Sequence, residues 1–541
     1  MSNSIEKQIS KGIQIIAILM MVFHHTFGFP ERYLSGISYI GLTIGSICVE
    51  QFIGSMCKIC VSLFAFGTGY ALAHKNLTLK YKAMSVIFPV LIVSYASRKL
   101  GASGIGEVSS AQNIVTYFTM IAALGIPSYG VRSIAQTKHN KEICNKTFTE
   151  LFVINLCSSI VCTLLYFILL NGMNLPITKL NYIFASLIIL NICNVEWVYE
   201  GFEKYPFIAI RSFIVKGISL LLMFIFVRNK TDTVAYAIIV CFGTVGNYIL
   251  NIVNLPSYVH LTFESLEVKK HLRSIVMFMG AVVAIEIYSL VDITMLTYAT
   301  TPDVVGYYSN ASKIVKMLAN TITALGAVML PRLSLFFIEG RIKDIKDIVN
   351  NFLNVTLTIA VPATIGISFV SKEMVLLLFG QEFMPSISTI VILSPLIIMM
   401  PMSGGVLGQI LLTSENEKKY LLCVSSGAMI NCLLNFIFIP LLSHNGAAVA
   451  STLTEALVNI IMIYFSCRII HLEIEGREIY KILCAAFIMG TVLMGLHYIC
   501  HNMNIFCALI IKIMIAGFTY ILCLLLMKQN IVTKIWKRLL N

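Results

Sequence analysis

Residues 386–412 read SISTIVILSPLIIMMPMSGGVLGQILL, a run without a single Asp, Glu, Lys or Arg. A helix of about 20 apolar residues crosses the hydrocarbon core of a bilayer, and about sixteen such runs follow one another between residues 12 and 527. Strands of a membrane β-barrel would be shorter and would alternate in polarity. The sequence therefore predicts an all-α, polytopic membrane protein.

The overall composition agrees with this interpretation. Hydrophobic residues make up 58% of the 541 residues, charged residues 12%, and the mean hydropathy is +0.86. So little polar surface excludes an ordinary soluble protein and makes membrane lipids the expected surroundings. The net charge of +13 is spread over many short loops rather than gathered in one patch, so no nucleic acid is expected as a partner.

The basic residues between the runs predict the orientation of the chain. If the N-terminus is cytoplasmic, about 27 Lys and Arg fall in cytoplasmic gaps and about 7 in the opposite ones, the positive-inside pattern. Both termini are therefore expected in the cytoplasm. The first apolar run continues into His24 and His25 without a small-residue cleavage pattern, so no cleaved signal peptide is expected.

Motifs of soluble catalysis are missing from the sequence. It contains no GxxxxGK[ST], HExxH or GxSxG pattern, so neither direct use of ATP nor a hydrolytic centre is expected. No cofactor or metal is expected either. The predicted activity is transport and not enzymatic catalysis.

From about residue 83 onward, short blocks resemble a known family in their order along the chain. They are LGIPSYGVR at 124–132, EWVYEGFEKY at 196–205, GYYSNASKI at 306–314, LPRLS at 330–334 and NGAAVAS at 445–451. Together they resemble Wzx-type polysaccharide flippases of the multidrug/oligosaccharidyl-lipid/polysaccharide exporter superfamily.

This resemblance implies fourteen transmembrane helices, arranged as two six-helix lobes around a central cavity with two more helices at the C-terminal end. It places the first lobe at 75–256, the second at 257–470 and the final pair at 471–541. The implied activity is to move undecaprenyl-diphosphate-linked oligosaccharide across the bacterial cytoplasmic membrane, for O-antigen or capsule. The implied partners are this lipid-linked substrate, a polysaccharide polymerase and glycosyltransferases.

Residues 1–74 resemble something else. Lys11-Gly12, the pair His24-His25 and the block CVSLF at 60–64 are similar to the first two helices of membrane acyltransferases that modify surface glycans. That family needs about ten helices, so this fragment alone is too short to form an acyltransferase site. A gene fusion or a recombination scar within a polysaccharide gene cluster is the predicted origin.

A lipid diphosphate inside a membrane needs cations or oriented donors, because an unpaired anion there costs several kcal/mol. Lys313 and Lys316 are the leading candidates, because a spacing of three residues places both on one helical face. Asn320 and Ser309 extend the same stripe and are predicted to line a polar cavity. The alternative is that Lys313 lies near a helix end and extends to the membrane surface.

Further cations lie in or beside the apolar runs. Arg98, Arg211 and Lys216 are candidates for substrate contact, with a topological or headgroup role as the alternative.

Three acidic residues lie within the runs, where an isolated carboxylate must find a cation or a proton. They are Glu286, Asp292 and Glu455. Each could couple transport to a proton or sodium gradient, or form an ion pair with Lys313 or Lys316. Asp292 leads because, with Met295-Leu296, it lies inside a block that matches the family.

Two features of the apolar runs predict local structure. Trp197 is interpreted as an anchor at the membrane interface. Pro401, Gly404 and Gly405 predict irregular backbone and a hinge, with ordinary membrane-helix composition as the alternative.

Three rival functions remain open from the sequence. They are a cation-coupled exporter of small molecules from the same superfamily, a glycan O-acyltransferase, and an inactive fusion product. The basic Lys313–Lys316 stripe favours an anionic lipid-linked glycan over a cationic drug.

Overall fold

The protein is described from a computed structural model, which covers residues 43–44, 47–48 and 77–540 apart from 173–177, 325, 327–328, 415, 471–475 and 501. The predicted His24-His25 pair therefore lies outside the described residues, as do most of the acyltransferase-like residues.

Nineteen α-helices form almost all of the described chain, and the all-α prediction is confirmed. They are α1 Leu77–Ala123, α2 Ile126–Thr137, α3 Lys141–Gly172, α4 Lys179–Leu190, α5 Glu196–Gly201, α6 Tyr205–Phe226, α7 Thr233–Asn254, α8 Lys269–Ala299, α9 Pro302–Thr323, α10 Leu330–Ile338, α11 Ile342–Leu378, α12 Ser386–Leu393, α13 Leu396–Met400, α14 Gly408–Thr413, α15 Glu417–Leu442, α16 His444–Ile469, α17 Gly476–Ile499, α18 Ile505–Leu526 and α19 Asn530–Leu540. Two-residue strands, β1 Thr43–Ile44 and β2 Ile47–Cys48, form one antiparallel pair.

The helices break where glycine and proline stand. Gly101 has a φ of 72° and divides α1 into two helical arms, because this left-handed conformation favours a residue without a side chain. Between α13 and α14, Pro401–Leu407 forms a π-helix. The irregular backbone predicted around Gly404 and Gly405 is therefore confirmed, whereas the hinge stays a prediction.

Eleven helical segments within the described residues are long and apolar enough to cross a membrane. Helix α9 is not one of them, because its sequence PDVVGYYSNASKIVKMLANTIT is rich in polar residues. A polar helix surrounded by apolar ones is expected to face a wet or polar interior. The count of fourteen transmembrane helices stays a prediction.

The chain divides into two compact units. The first comprises Met1–Ile92 and Ala209–Ile225, and within it Phe88 packs edge-on against Phe213 with ring centroids 5.4 Å apart. The second comprises Val93–Ile208 and Phe226–Asn541. The four-part division predicted from the sequence, with 1–74 as its first part, stays a prediction.

The last two long helices of the second unit pack together and against α11. Their shared core includes Ile482, Met489 and Tyr520, all nearly inaccessible. A charged pair joins the same elements, because the Lys512 ammonium on α18 lies 2.6 Å from a Glu373 carboxylate oxygen on α11. Lys512 is 1% exposed, so the pair is buried where loss of either partner would be costly.

Candidate functional site

Helix α9 changes character halfway along its length. Its first half is buried, with Tyr308 and Ser309 each 1% exposed and Asn310 fully inaccessible. In its second half, Lys313 and Asn320 are exposed. The two halves therefore have different environments, and each is described in turn.

The first half of α9 meets α1 through backbone contact. A Cβ atom added to Gly306 would lie 2.2 Å from the carbonyl oxygen of Ala102, and one added to Gly106 would lie 1.7 Å from that of Pro302. Both distances are far below van der Waals contact. Only glycine allows the two helices to approach this closely at these positions.

Polar side chains extend the contact on both sides of the glycines. The hydroxyl oxygens of Ser109 and Ser309 lie 2.9 Å apart, and the Asn310 amide donates to Ser97 Oγ at 2.7 Å. We call this contact between 97–110 of α1 and 302–310 of α9 the sealed end. It leaves no space for a cargo between the two helices.

Arg98 strengthens the sealed end from outside the α1–α9 contact. Its guanidinium donates to the carbonyl oxygen of Leu376 at 2.9 Å and also contacts that of Leu377, in the last turn of α11. The end of a helix carries partial negative charge, which a cation neutralises. The structure thus places Arg98 at a helix end, and not in the cavity that the sequence predicted for it.

The exposed residues of the second half share one face of α9. Lys313, Asn320 and Thr321 are exposed, and Lys316 is half-buried between them. Spacings of three, four and seven residues bring side chains to the same side of a helix. The Lys313–Lys316–Asn320 part of the predicted stripe is therefore one continuous polar surface, which we call the basic stripe.

Lys313 lies near the middle of α9. At about 1.5 Å per residue it stands roughly 15 Å from the nearer end of the helix. Its side chain is exposed, and among the described residues it forms no ion pair or hydrogen bond. The predicted role of Lys313 in lining a cavity stays a prediction, as does the alternative that it extends to the membrane surface.

Ser309 was predicted to belong to the same stripe, and this was wrong. Although it precedes Lys313 by one turn, it is buried against α1 and bonded to Ser109. The polar surface therefore begins at Lys313, where contact with α1 ends.

Asp292 is held by neutral donors from three other helices. Its carboxylate, 1% exposed on α8, accepts from Tyr308 Oη on α9, from Asn435 Nδ2 on α15 at 2.7 Å and from Ser451 Oγ on α16 at 2.5 Å. An ion pair between Asp292 and Lys313 or Lys316 was one of the predicted alternatives, and it is not formed. The three donors are neutral, so hydrogen bonds rather than an ion pair with these groups hold the carboxylate.

Glu455 and Glu286 have different surroundings from Asp292. The Glu455 carboxylate, 4% exposed, accepts from Ser403 Oγ in the π-helix at 2.5 Å. Glu286 is half-buried on α8. A coupling role for either residue stays a prediction.

Arg211 and Lys216 lie on α6 within the first compact unit. Arg211 is 2% exposed, whereas Lys216 is half-buried. Their predicted contact with substrate stays a prediction.

Comparison with known proteins bears directly on the residues just described. Residues 77–337 match the family described as "Polysaccharide biosynthesis protein", a range that includes the sealed end, Asp292 and the basic stripe. A protein of Escherichia coli described as an O-antigen transporter is 23% identical over 394 residues, which are 70% of this chain and 92% of that protein. A protein of Haloferax volcanii described as a glycan biosynthesis flippase is 22% identical over 208 residues, 38% of this chain and 44% of that protein.

The chain is thus similar to polysaccharide biosynthesis proteins and to O-antigen transporters.

Two solved structures have a fold similar to that of this chain. The lipid II flippase MurJ in an inward closed conformation matches with a TM-score of 0.67 at 14% identity, over 85% of this chain and 97% of that one. An inward-facing multidrug resistance transporter of the MATE family matches with a TM-score of 0.59 at 13% identity, over 71% and 94%. The family match begins at residue 77, so the acyltransferase resemblance of residues 1–74 stays a prediction.

A second polar contact in the protein was missed by the sequence analysis. Glu150 on α3 is fully buried, and it accepts from His271 Nε2 at 2.8 Å and lies 3.0 Å from the Lys270 ammonium. Tyr129 on α2 bonds the other nitrogen of the same histidine at 2.8 Å. Burial alone would lower the pKa of Lys270, but the Glu150 carboxylate and a neighbouring glutamate raise it above its usual value.

The connection between α7 and α8 is held along α3 beside this contact. Side chains of α3 accept backbone N–H groups of the connection: Asn145 from His260 at 3.0 Å and Thr149 from Thr262 at 2.9 Å. Such pairings cannot be read from one segment alone. Glu150 could have been noticed in the sequence, because it is an acidic residue just inside an apolar run. Lys512 is likewise a basic residue inside an apolar run.

Trp197 corrects a further prediction. It is 2% exposed, packs near Phe148 with ring centroids 5.8 Å apart, and donates its indole N–H to the carbonyl of Asn194 at 3.1 Å. It is therefore a core residue and not an anchor at the membrane interface.

Proposed function

We propose that this protein is a flippase that moves a lipid-linked oligosaccharide, on an undecaprenyl diphosphate carrier, across the bacterial cytoplasmic membrane. The oligosaccharide is destined for O-antigen, capsule or a related surface polysaccharide. A polysaccharide polymerase and glycosyltransferases are the proposed partners.

The observation that carries this proposal is the contrast along α9. The sealed end closes the path between α1 and α9, while in the basic stripe beyond it Lys313 is exposed and Lys316 half-buried. Two ammonium groups on one face suit a diphosphate, whose charge must be compensated in a medium of low polarity. The glycan-related family and relatives support the same class of cargo.

The basic loops supply the proposed direction. With both termini in the cytoplasm, the loop between α8 and α9 faces outward and so does the sealed end. The basic stripe is then reached from the cytoplasm, where lipid-linked oligosaccharides are assembled. Movement of the sealed end would release the cargo outward, as in alternating access.

We place cation coupling at Asp292. Its three neutral donors come from α9, α15 and α16, so a change in the charge of Asp292 would alter a hydrogen bond to each of these helices. Tyr308 joins this cluster to the same helix that carries the basic stripe. Uptake of a proton or sodium ion at Asp292 would therefore change the stability of the position that α9 occupies here.

The direct test replaces both lysines of the stripe with glutamine, Lys313→Gln and Lys316→Gln, in the native host. Loss of two charged contacts of about 1.5–3 kcal/mol each predicts a fall in surface glycan of at least about ten-fold. Lys343→Gln removes an exposed charge elsewhere and is the matched control, while Lys313→Arg with Lys316→Arg should retain most display. Normal display by the glutamine variant at normal protein level would remove the stripe from the mechanism.

A small-molecule exporter is the second candidate, because the MATE transporter shares the fold. Accumulation of lipid-linked oligosaccharide in a deletion strain, without any change in drug sensitivity, separates the two. An acyltransferase role for residues 1–74 is tested by deleting them and measuring glycan acylation and display separately.

A further inference from the structure

The last helix, α19, has a sharply two-sided sequence, NIVTKIWKRLL at 530–540. At 100° per residue its apolar positions fall on one half of the helix and its polar positions on the other. The apolar positions are Ile531, Val532, Ile535, Trp536, Leu539 and Leu540. The polar positions are Asn530, Thr533, Lys534, Lys537 and Arg538.

A fixed turn sets α19 apart from the membrane-crossing helix before it. Lys528 has a φ of 52°, and the N–H of Gln529 returns to the carbonyl of Leu524, which ends α18. Glu478 on α17 accepts the N–H of Asn530 at 2.9 Å, and Lys481 donates to the carbonyl of Lys528 at 3.0 Å. The start of α19 is therefore held by α17.

Ile531, Val532 and Trp536 are the described side chains on the apolar side of α19. Val532 packs against the core formed by α17 and α18, whereas Trp536 remains 47% exposed. Tryptophan prefers the boundary between hydrocarbon and headgroups, where its ring is buried and its N–H stays hydrated.

The charges of this segment all have one sign. Lys528, Lys534, Lys537 and Arg538 are basic, and residues 527–541 contain no Asp or Glu. A basic, amphipathic helix that follows the last membrane crossing matches the anionic headgroups of a cytoplasmic leaflet in charge and the upper acyl chains in polarity.

We propose that α19 lies in the membrane interface and binds anionic phospholipid headgroups through its basic face. Helix α19 carries none of the residues proposed to contact the cargo, so this proposal does not depend on flippase activity. The proposed occupant is a lipid surface and not a second protein. The segment carries basic residues without any acidic ones, and an exposed tryptophan stands on its apolar side.

The two tryptophans of the chain allow a direct measurement on the full-length protein. Trp197 is buried and Trp536 is exposed, so the emission difference between the wild type and Trp536→Phe isolates Trp536. In vesicles of phosphatidylcholine with phosphatidylglycerol, we expect that difference signal to shift to shorter wavelength and to be quenched by lipids brominated near the headgroup. A water-like emission that brominated lipid does not quench would overturn the proposal.

A titration of the phosphatidylglycerol fraction tests the charge requirement. Each cation near an anionic surface contributes about five-fold in affinity, so Lys534→Gln and Lys537→Gln should each raise the midpoint about five-fold. Lys343→Gln removes the same charge far along the sequence and should leave the midpoint unchanged. Equal quenching in pure phosphatidylcholine, with no effect of either substitution, would refute binding to anionic headgroups.

Discussion

The two halves of α9 differ in what they contact, although they form one continuous helix. In the first half, Gly306 and Ser309 lie against the backbone and hydroxyl groups of α1. In the second half, Lys313 and Asn320 are exposed. Under the proposed function, closure and cargo recognition belong to a single helix, so a tilt that opens the sealed end also moves the basic stripe.

The largest expected effect comes from adding one methyl group in the sealed half. Gly306→Ala would place a carbon 2.2 Å from the Ala102 carbonyl oxygen, which forces α1 and α9 apart. We expect about 3 kcal/mol or more against the sealed form, and hence a fall in surface glycan of roughly a hundred-fold. Gly366→Ala on α11 is the control, because nothing lies within 4 Å of its added carbon. Equal display by the two variants would show that close contact is dispensable.

A smaller effect is expected at Asp292, which ties the sealed half to its neighbours. Asp292→Asn places an amide donor among the hydroxyl and amide groups that now donate to the carboxylate. We expect a loss of about 1–3 kcal/mol, visible as a lower unfolding temperature in detergent, and glycan display that no longer responds to ionophores. The exposed Asp303→Asn at the start of α9 serves as the control. Unchanged stability and an unchanged ionophore response would disprove this role.

The smallest effect is expected from Ser309→Ala. The substitution removes one hydrogen bond at the sealed end, worth about 1 kcal/mol, and should reduce display less than about five-fold. Because the partner is Ser109, the double variant Ser109→Ala with Ser309→Ala should be no worse than the sum of the single ones. A loss of display as large as that of Lys313→Gln would instead indicate that Ser309 contacts the cargo.

Much of the architecture could be predicted because its signals are local. The length and polarity of the apolar runs give the helices, and Lys313, Lys316 and Asn320 share a face through backbone geometry alone. The ordered blocks supplied the family. The polar composition of α9 also distinguishes it from the apolar helices in the sequence.

The errors arose where distant segments meet. Ser309 is covered by a helix 200 residues earlier, and Arg98 bonds carbonyls about 280 residues later. Trp197 is enclosed by α3 and its aromatic residues, whereas its sequence position suggested a membrane boundary. Helix-to-helix packing in a membrane leaves little trace in a single sequence, because lipid-facing and protein-facing residues are similarly apolar.

The polar contacts around the sealed end have a thermodynamic consequence. Arg98 is exposed where it meets the end of α11, and the pair formed by Lys230 and Glu382 is exposed by 70% and 50%. When these groups separate, water can take the place of each partner. Opening would therefore replace these protein hydrogen bonds with hydrogen bonds to water. In the proposed mechanism, cargo on the basic stripe would need to bind one form more tightly than the other by about 5.5 kcal/mol to invert a ratio of 1:99.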